Sequence, residues 1–490
     1  MTVLLRSSPV TAQQIAAVAG GEKVELSAEA VGVISESRAI IEAAIRRGDA
    51  VYGLNRRLGA GRDVEVSETD FADFQRRILA NHLGGIGAPI AEPAVRAIIF
   101  TRLAGFALGG SGVRPALAAA YAALLNSQVY PLVRARGSVG AADLTQLAAI
   151  AAVATGQGRA FVAGKLVSGG EALVAAGLEP IELAAHEGLA VLSSNAFSLS
   201  SAALQLGPLF GAARAADLSA ALSLEAIGLH SSGGNLSPFD PVVQHAHAHS
   251  GQTASAATVR ELLDGSYLAT RADRVSVQDR LSFRTAPQVN GALREAITSL
   301  DRALALELSA RTDNPLVDIE SRRIISGGNF AITSFAMAVE ALKIGIAHVG
   351  IASERRTALL SDLSAPFRAA GRTRVPGLLL YASSAGVAEL KQFAQPATLD
   401  STVLSGDVED VSSLAPLALE RSAAALERLN EILAIEAIHA AQLISLARAE
   451  GTEFSLGGGS GPVQAKIAAL IESASDADDL VQQTIDAIAQ

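Results

Sequence analysis

From about residue 191 the apolar positions of this chain recur at three- and four-residue spacing over long stretches, whereas before it they come in short runs broken by turns. Ile297, Leu300, Leu304 and Leu308 form one stripe, predicted to stop where Asp313-Asn314-Pro315 denies a helix its continuation. A second stretch, from Pro416 to about Ala449, has no internal glycine or proline after its start. At about 1.5 Å per residue it predicts a helix of roughly 50 Å. Its apolar residues, among them Leu426, Leu429, Ile432, Leu433, Ile435, Ile438 and Leu443, cover more than one stripe. Such a helix needs neighbours on several sides, which burial inside an oligomer would supply.

The first 190 residues are punctuated by Gly84-Gly85, Gly109-Gly110 and Gly156-Gln157-Gly158. A helix is predicted from Asp143 through Leu144, Leu147, Ile150 and Val153 to Gly156, with the Asp143 side chain capping its free amides. The pattern therefore reads as a mainly α protein with a loop-bearing domain over 1–190 and a long-helix bundle with C-terminal helices over 191–490. Gly457-Gly458-Gly459-Ser460-Gly461 lacks the Lys-Ser/Thr of a phosphate loop and reads as a mobile connector.

Composition narrows the function classes. The 490 residues are half hydrophobic, with no tryptophan, which suits helices packed through small side chains. A formal charge of -10 with no dense basic window excludes a nucleic-acid partner. The absence of cysteine excludes disulfides, thiolate zinc sites and a cysteine nucleophile. MTVLLRSSPV is too short an apolar run for a signal peptide, and the longest apolar stretches are interrupted by Glu340 and Lys343 or by glycines. The expectation is a cytoplasmic protein with no membrane partner.

A set of motifs carries the chemistry. The segment Gly137-Ser138-Val139-Gly140-Ala141-Ala142-Asp143-Leu144 is accompanied by Tyr52-Gly53-Leu54-Asn55, Asn81-His82-Leu83, Ser111-Gly112-Val113-Arg114 and Pro238-Phe239-Asp240. Val277-Gln278-Asp279, Ser282-Phe283-Arg284, Asp313-Asn314-Pro315-Leu316-Val317, Gly327-Gly328-Asn329-Phe330 and Glu409-Asp410 follow. In this order they resemble the aromatic amino acid lyase family, which includes the histidine and phenylalanine ammonia-lyases. The resemblance implies the ammonia-lyase (fumarase/aspartase-like) fold with its long central helical bundle. It also implies a homotetramer whose sites are shared by three subunits, so that Tyr52, Arg284 and Glu409 would meet only between chains.

By that resemblance Tyr52 is the general base and Glu409 a second catalytic group. Arg284 clamps the substrate carboxylate through two parallel donors. His82 faces the substrate ring, and Gln278, Asn314 and Phe330 line the binding site. His82 together with Glu409 points to an imidazole-bearing substrate, although tyrosine-specific relatives carry a similar His-Leu pair. A phenol of ordinary pKa near 10 needs positive charge nearby to act as a base at neutral pH, and the positive end of the helix begun by Asp143 is the expected source.

The departures from the family pattern cluster on its electrophile. The family's G-S-V-G-A-S-G-D-L cyclises through Ala-Ser-Gly into methylidene-imidazolone (MIO). Here the degenerate loop Gly140, Ala141, Ala142, Asp143 is one residue shorter and has no dehydratable hydroxyl. The family's L-N-G-T is Leu192-Ser193-Ser194-Asn195, N-F-H-G is Asn329-Phe330-Ala331-Ile332, and E-D-H is Glu409-Asp410-Val411. The tyrosine after V-Q-D-x is Leu281.

The expectation is a carbon–nitrogen lyase without MIO or other cofactor. It would eliminate a trimethylamine-type group, which leaves unaided, from an imidazole-bearing betaine, by the logic of ergothionase. The alternatives are ammonia release from histidine or another aromatic amino acid, and a non-catalytic paralogue that binds such ligands. His245, His247 and His249 would align on one face of a strand as a metal site. Because His249-Ser250-Gly251-Gln252 resembles the family's structural H-P-G-Q, no metal is expected.

Overall fold

The computed structural model describes residues 2–271 and 276–489. Two compact units emerge, each assembled from separated stretches of sequence. The first comprises residues 1–206, 301–337 and 397–419, and the second 207–300, 338–396 and 420–490.

The first unit carries all the sheet structure among the described residues. Thr2–Leu5 pairs in parallel with Lys23–Leu26, and Ile86–Pro89 pairs antiparallel with Arg134–Arg136. Arg159–Val162 lies between Val129–Pro131 and Lys165–Ser168 in an antiparallel three-stranded sheet. Leu316–Asp318 and Arg323–Ile325 form a hairpin. Around these small sheets pack helices such as Ala28–Arg47, Phe71–His82, Glu92–Ala107 and Leu144–Ala154. Ion pairs tie the unit together. Arg102, almost wholly buried, meets Asp313 at 2.7 Å, and Arg114 meets Glu187 at 2.8 Å.

Long helices dominate the rest. Ala196–His230, Ala286–Leu308, Thr333–Ala369 and Ala415–Ala449 are the four longest among the described residues, and each contributes residues to both units. The helix Ala286–Leu308 buries Ile297, Leu300 and Leu304 as the stripe predicts, but it ends at Leu308, before Asp313-Asn314-Pro315. Ala415–Ala449 matches the long rod read from the sequence. Its Leu429, Ile432, Leu433, Ile435, Ile438 and Leu443 are all buried within the single chain. An oligomer is therefore not needed to cover them.

In the second unit the helix 420–449 is crossed by polar chemistry at Glu436. Arg356 donates to its carboxylate at 2.6 and 2.9 Å, and Ser223 and Ser353 donate at 2.6 Å each, with all four residues fully buried. Every lone pair the carboxylate would show to water thus finds a donor, which offsets its desolvation.

Two local expectations are corrected. The glycine run is a docked segment, since Gly457 donates to Glu225, and Gly458 and Gly459 donate to Asp264 and Leu262 carbonyls. His245 sits at the end of the helix Pro241–Ala246 and not on a strand, because Asp240 caps that helix and Pro241 starts it. The His247 and His249 rings meet with centroids 4.5 Å apart, tilted by 55°. No group of three His, Cys, Asp or Glu suited to a metal occurs among the described residues.

Candidate active site

Tyr52 is fixed by its neighbours in sequence. Val51 and Leu54 sink into an apolar cluster with Ile40, Ile41, Ala44 and Val317, which pins the backbone on both sides of the half-buried tyrosine. Gly53 between them has φ of +72°, and a Cβ there would collide with Leu189. Only glycine serves at that turn. The Tyr52 oxygen accepts the Gly59 N–H at 2.8 Å and so closes the loop that carries it.

Burial pushes the Tyr52 phenol above its ordinary value, the Gly59 N–H opposes that, Glu409 adds to it and Arg62 opposes it. The expectation of a phenol lowered by a helix end is thereby corrected. Desolvation of the phenolate outweighs the positive charge within this chain.

His82 is the last residue of the helix Phe71–His82, whose Gln75, Ile78 and Leu79 form its buried stripe. Its Nδ1 lies 2.6 Å from the Ile78 carbonyl. Because a carbonyl only accepts, Nδ1 carries the hydrogen, and Nε2 of the neutral ring is an acceptor. Glu409 closes a tight loop in which it and Leu404 exchange backbone hydrogen bonds of 2.8 and 3.2 Å. Ser405, Gly406 and Asp407 between them all have positive φ.

The turn that would hold the family's electrophile is closed by hydrogen bonds of its own. Gly140, at φ +83°, pairs with Ala142, and Ala141 pairs with Ala331. A Cβ on Gly140 would collide with Ser413, whose hydroxyl donates to the Gly140 carbonyl at 3.0 Å. Asn195 donates to the same carbonyl at 3.4 Å, and the Asp143 N–H donates to the Ser194 carbonyl at 2.8 Å. Ser138, the hydroxyl nearest in sequence, donates toward Asp143 at 2.8 Å and accepts from the Gly140 N–H at 3.1 Å. With alanine at 141 and 142, these residues do not fit MIO formation by dehydration.

Asp143 stands at the N-terminus of Leu144–Ala154, but its side chain does not cap that helix. Its carboxylate instead accepts from the Ser198 N–H at 2.8 Å and the Ser198 hydroxyl at 3.2 Å, at the start of Ala196–His230. The expected cap is corrected to one that joins two elements. Burial raises Asp143 to about 6, against the pull of the bonds from Ser198 and Ser138.

These elements line an open cavity of about 500 Å³ within the first unit. Of the sequence candidates, Tyr52, His82, Asn314, Phe330 and Glu409 line it, together with Ala141 and Ala142. Tyr52 and Glu409 therefore share one cavity in a single chain, contrary to the expectation that they meet only between subunits. Gly140 and Asp143 are buried and do not line it.

Arg284 and Gln278 belong to the second unit and are not among the lining residues. Gln278 is exposed, and Arg284 ends the short helix Leu281–Arg284 with its buried Nε lacking a hydrogen-bond partner. Asn314 already uses its side-chain oxygen on Gly327 N–H and the Ser326 hydroxyl. Arg62, Ser326 and Ser405 also line the cavity and were not legible from the sequence. They sit on irregular loops, where no periodicity marks which residues face inward.

The sequence matches the family described as aromatic amino acid lyase over residues 10–472. The chain belongs to this family. Its members are carbon–nitrogen lyases, and the ammonia-lyase fold follows. The chain is 36% identical over 453 residues to the histidine ammonia-lyase of Paracidovorax citrulli, covering 90% of this chain and 87% of that protein. It is 36% identical over 480 residues to that of Bradyrhizobium diazoefficiens, covering 96% and 90%.

Among solved structures it is similar to the ergothioneine-degrading ergothionase of Treponema denticola, with a TM-score of 0.91 at 28% identity, covering 100% of this chain and 98% of the other. It is also similar to the histidine ammonia-lyase of Trypanosoma cruzi, with a TM-score of 0.86 at 27% identity, covering 100% and 93%.

Proposed function

We propose that this aromatic amino acid lyase works without MIO and eliminates a tertiary amine from an imidazole-bearing amino acid betaine, giving an α,β-unsaturated acid. The observation that carries the proposal is the turn 140–143, where alanines replace the dehydratable serine beside a cavity that keeps Tyr52, His82 and Glu409. Ammonia is a poor leaving group and needs covalent activation, whereas a quaternary ammonium departs as a neutral amine.

The step needs few groups. Tyr52 as phenolate takes the proton from the β-carbon, the C–H pair becomes the new carbon–carbon double bond, and the C–N pair leaves on trimethylamine. Burial holds the phenol protonated at neutral pH. A quaternary cation bound beside it favours ionisation, so the substrate's own charge helps to make the base. His82 Nε2 and the Glu409 carboxylate are two acceptors in one cavity, which suits a ring bearing N–H donors. In the homotetramer that the family resemblance implies, Arg284 and Gln278 of a partner subunit complete the site. Exposed apolar side chains such as Leu378 and Tyr381 support such an assembly.

The test is a panel of ergothioneine, hercynine and histidine, assayed for trimethylamine, ammonia and absorbance of the unsaturated acid, with intact mass on the same sample. Trimethylamine released by a chain of unmodified mass supports the proposal. A second reading, histidine ammonia-lyase activity, is favoured by the 36% identity to those enzymes. Ammonia from histidine, with a mass reduced by lost water, would establish it and end the first. Thermal stabilisation by the ligands without turnover would leave only binding.

A further inference from the structure

We propose that Arg62 binds the substrate carboxylate from within the same chain. This inference rests on the reading that the ligand is an amino acid derivative with a free carboxylate. Among the described residues Arg62 is the only arginine or lysine lining the 500 Å³ cavity. It follows the short 3₁₀ turn Gly59–Gly61, whose first N–H is held by the Tyr52 oxygen at 2.8 Å. The guanidinium and the base are thus carried on one closed loop, and the charge of Arg62 is felt at the Tyr52 phenol.

Arg56 of this loop is already engaged. It bonds the Asn55 carbonyl at 2.9 Å and faces Glu65 at 3.8 Å. Arg62 forms no ion pair or side-chain hydrogen bond among the described residues, so no acidic group of the fold competes for it. Glu409, the one acidic side chain lining the cavity among the described residues, is likewise without an ion pair.

A cavity that holds one unpaired guanidinium and one unpaired carboxylate is complementary to a zwitterion. The guanidinium fork takes two carboxylate oxygens in parallel, leaving the opposite charge for Glu409 and the phenol. Because Arg62 lies on the loop of the base, a carboxylate seated on it draws Tyr52 and the β-carbon into one frame.

The experiment compares binding of two probes, trans-3-(imidazol-4-yl)acrylate and its primary amide, by calorimetry to the wild type, Arg62→Gln, Arg62→Lys and Arg284→Gln. The amide keeps the ring and the shape but not the charge. The expected result is that the wild type favours the acid, that Arg62→Gln loses about tenfold in affinity for the acid alone, and that Arg62→Lys regains part of it. Unchanged amide binding and an unchanged melting temperature in Arg62→Gln show that the loop still folds. An acid preference that survives in Arg62→Gln, and vanishes only in Arg284→Gln, overturns the assignment. Since binding is read without turnover, the result stands even where every substrate in the panel fails.

Discussion

Asp143 offers the sharpest test of how the turn beneath the cavity is held. Its carboxylate is fully buried and receives hydrogen bonds from Ser138 and from Ser198 N–H and hydroxyl, yet burial outweighs them and lifts it from an ordinary 3.8 to about 6. At about 1.4 kcal/mol per pH unit, carrying this carboxylate ionised in the fold costs about 3 kcal/mol. The sign follows from linkage. The folded chain binds this proton more tightly than the unfolded one, so the group's contribution to stability rises as pH falls through 6 and levels off below about 4.

Asp143→Asn removes the titration while keeping an oxygen for the Ser198 N–H and an amide for the hydroxyls. Urea unfolding of both proteins at matched concentration should therefore show the wild type gaining on the variant as the solution is acidified. The gain should be roughly 1.3 kcal/mol between pH 7 and pH 5. Other titrating groups cancel in the difference. A difference that stays flat across that range, or that falls on acidification, would refute the claim that burial dominates at Asp143 and would mean that the serine bonds win.

Five further outcomes follow from the same structure. Tyr52→Phe should cut turnover by about 10²–10⁴-fold with little loss of ligand affinity, as single-turnover and calorimetric measurements on one preparation would report. Because burial raises the Tyr52 phenol and its ionised form is the proposed base, kcat/KM should climb with pH through the alkaline range. Glu409→Gln should move that climb to lower pH by removing a charge that opposes ionisation. Gly53→Ala, which places a Cβ against Leu189 at positive φ, should lower stability by about 1–3 kcal/mol in chemical denaturation. Glu436→Gln leaves the fully buried Arg356 without its counter-charge and should cost about 3–5 kcal/mol, seen as a lowered melting temperature.

The helices were legible because burial imposes a period on the sequence. Ile297, Leu300 and Leu304 had to recur at helical spacing to reach one core, and Ala415–Ala449 could be bounded by its lack of helix breakers. The candidate site residues were singled out through motifs, and Tyr52, His82 and Glu409 do line one cavity. What escaped was long-range pairing. Sequence proximity assigned Asp143 to the helix beside it, whereas its acceptors are used by Ser198, which only the fold brings near. The alternation of His245, His247 and His249 suggested a strand, but the local start signal at Asp240-Pro241 makes a helix. Arg62 escaped because it stands on an irregular loop, where facing the cavity follows from the closure of that loop by Tyr52.

The departures from the family pattern gain meaning from where they fall. Ser193 lines the cavity and exchanges hydrogen bonds with the Asn314 backbone, its hydroxyl accepting at 2.8 Å and donating at 3.4 Å. Ser194 accepts the Asp143 N–H, Asn195 donates to the Gly140 carbonyl, and Ala331 pairs with Ala141. Segments distant in sequence that differ from the family thus converge on the one turn that differs most. Unrelated drift has no reason to concentrate there, whereas under the proposed MIO-independent chemistry a turn freed from bending into a ring must satisfy its own amides and carbonyls. Val411 and Leu281 are exposed and take no part in that closure. Restoring Ala-Ser-Gly alone would therefore meet a turn already tied at Gly140, Ala141 and Asp143. Ala142→Ser with one glycine inserted after it should yield no loss of water by intact mass unless the positions at 193–195 and 331 are changed with it.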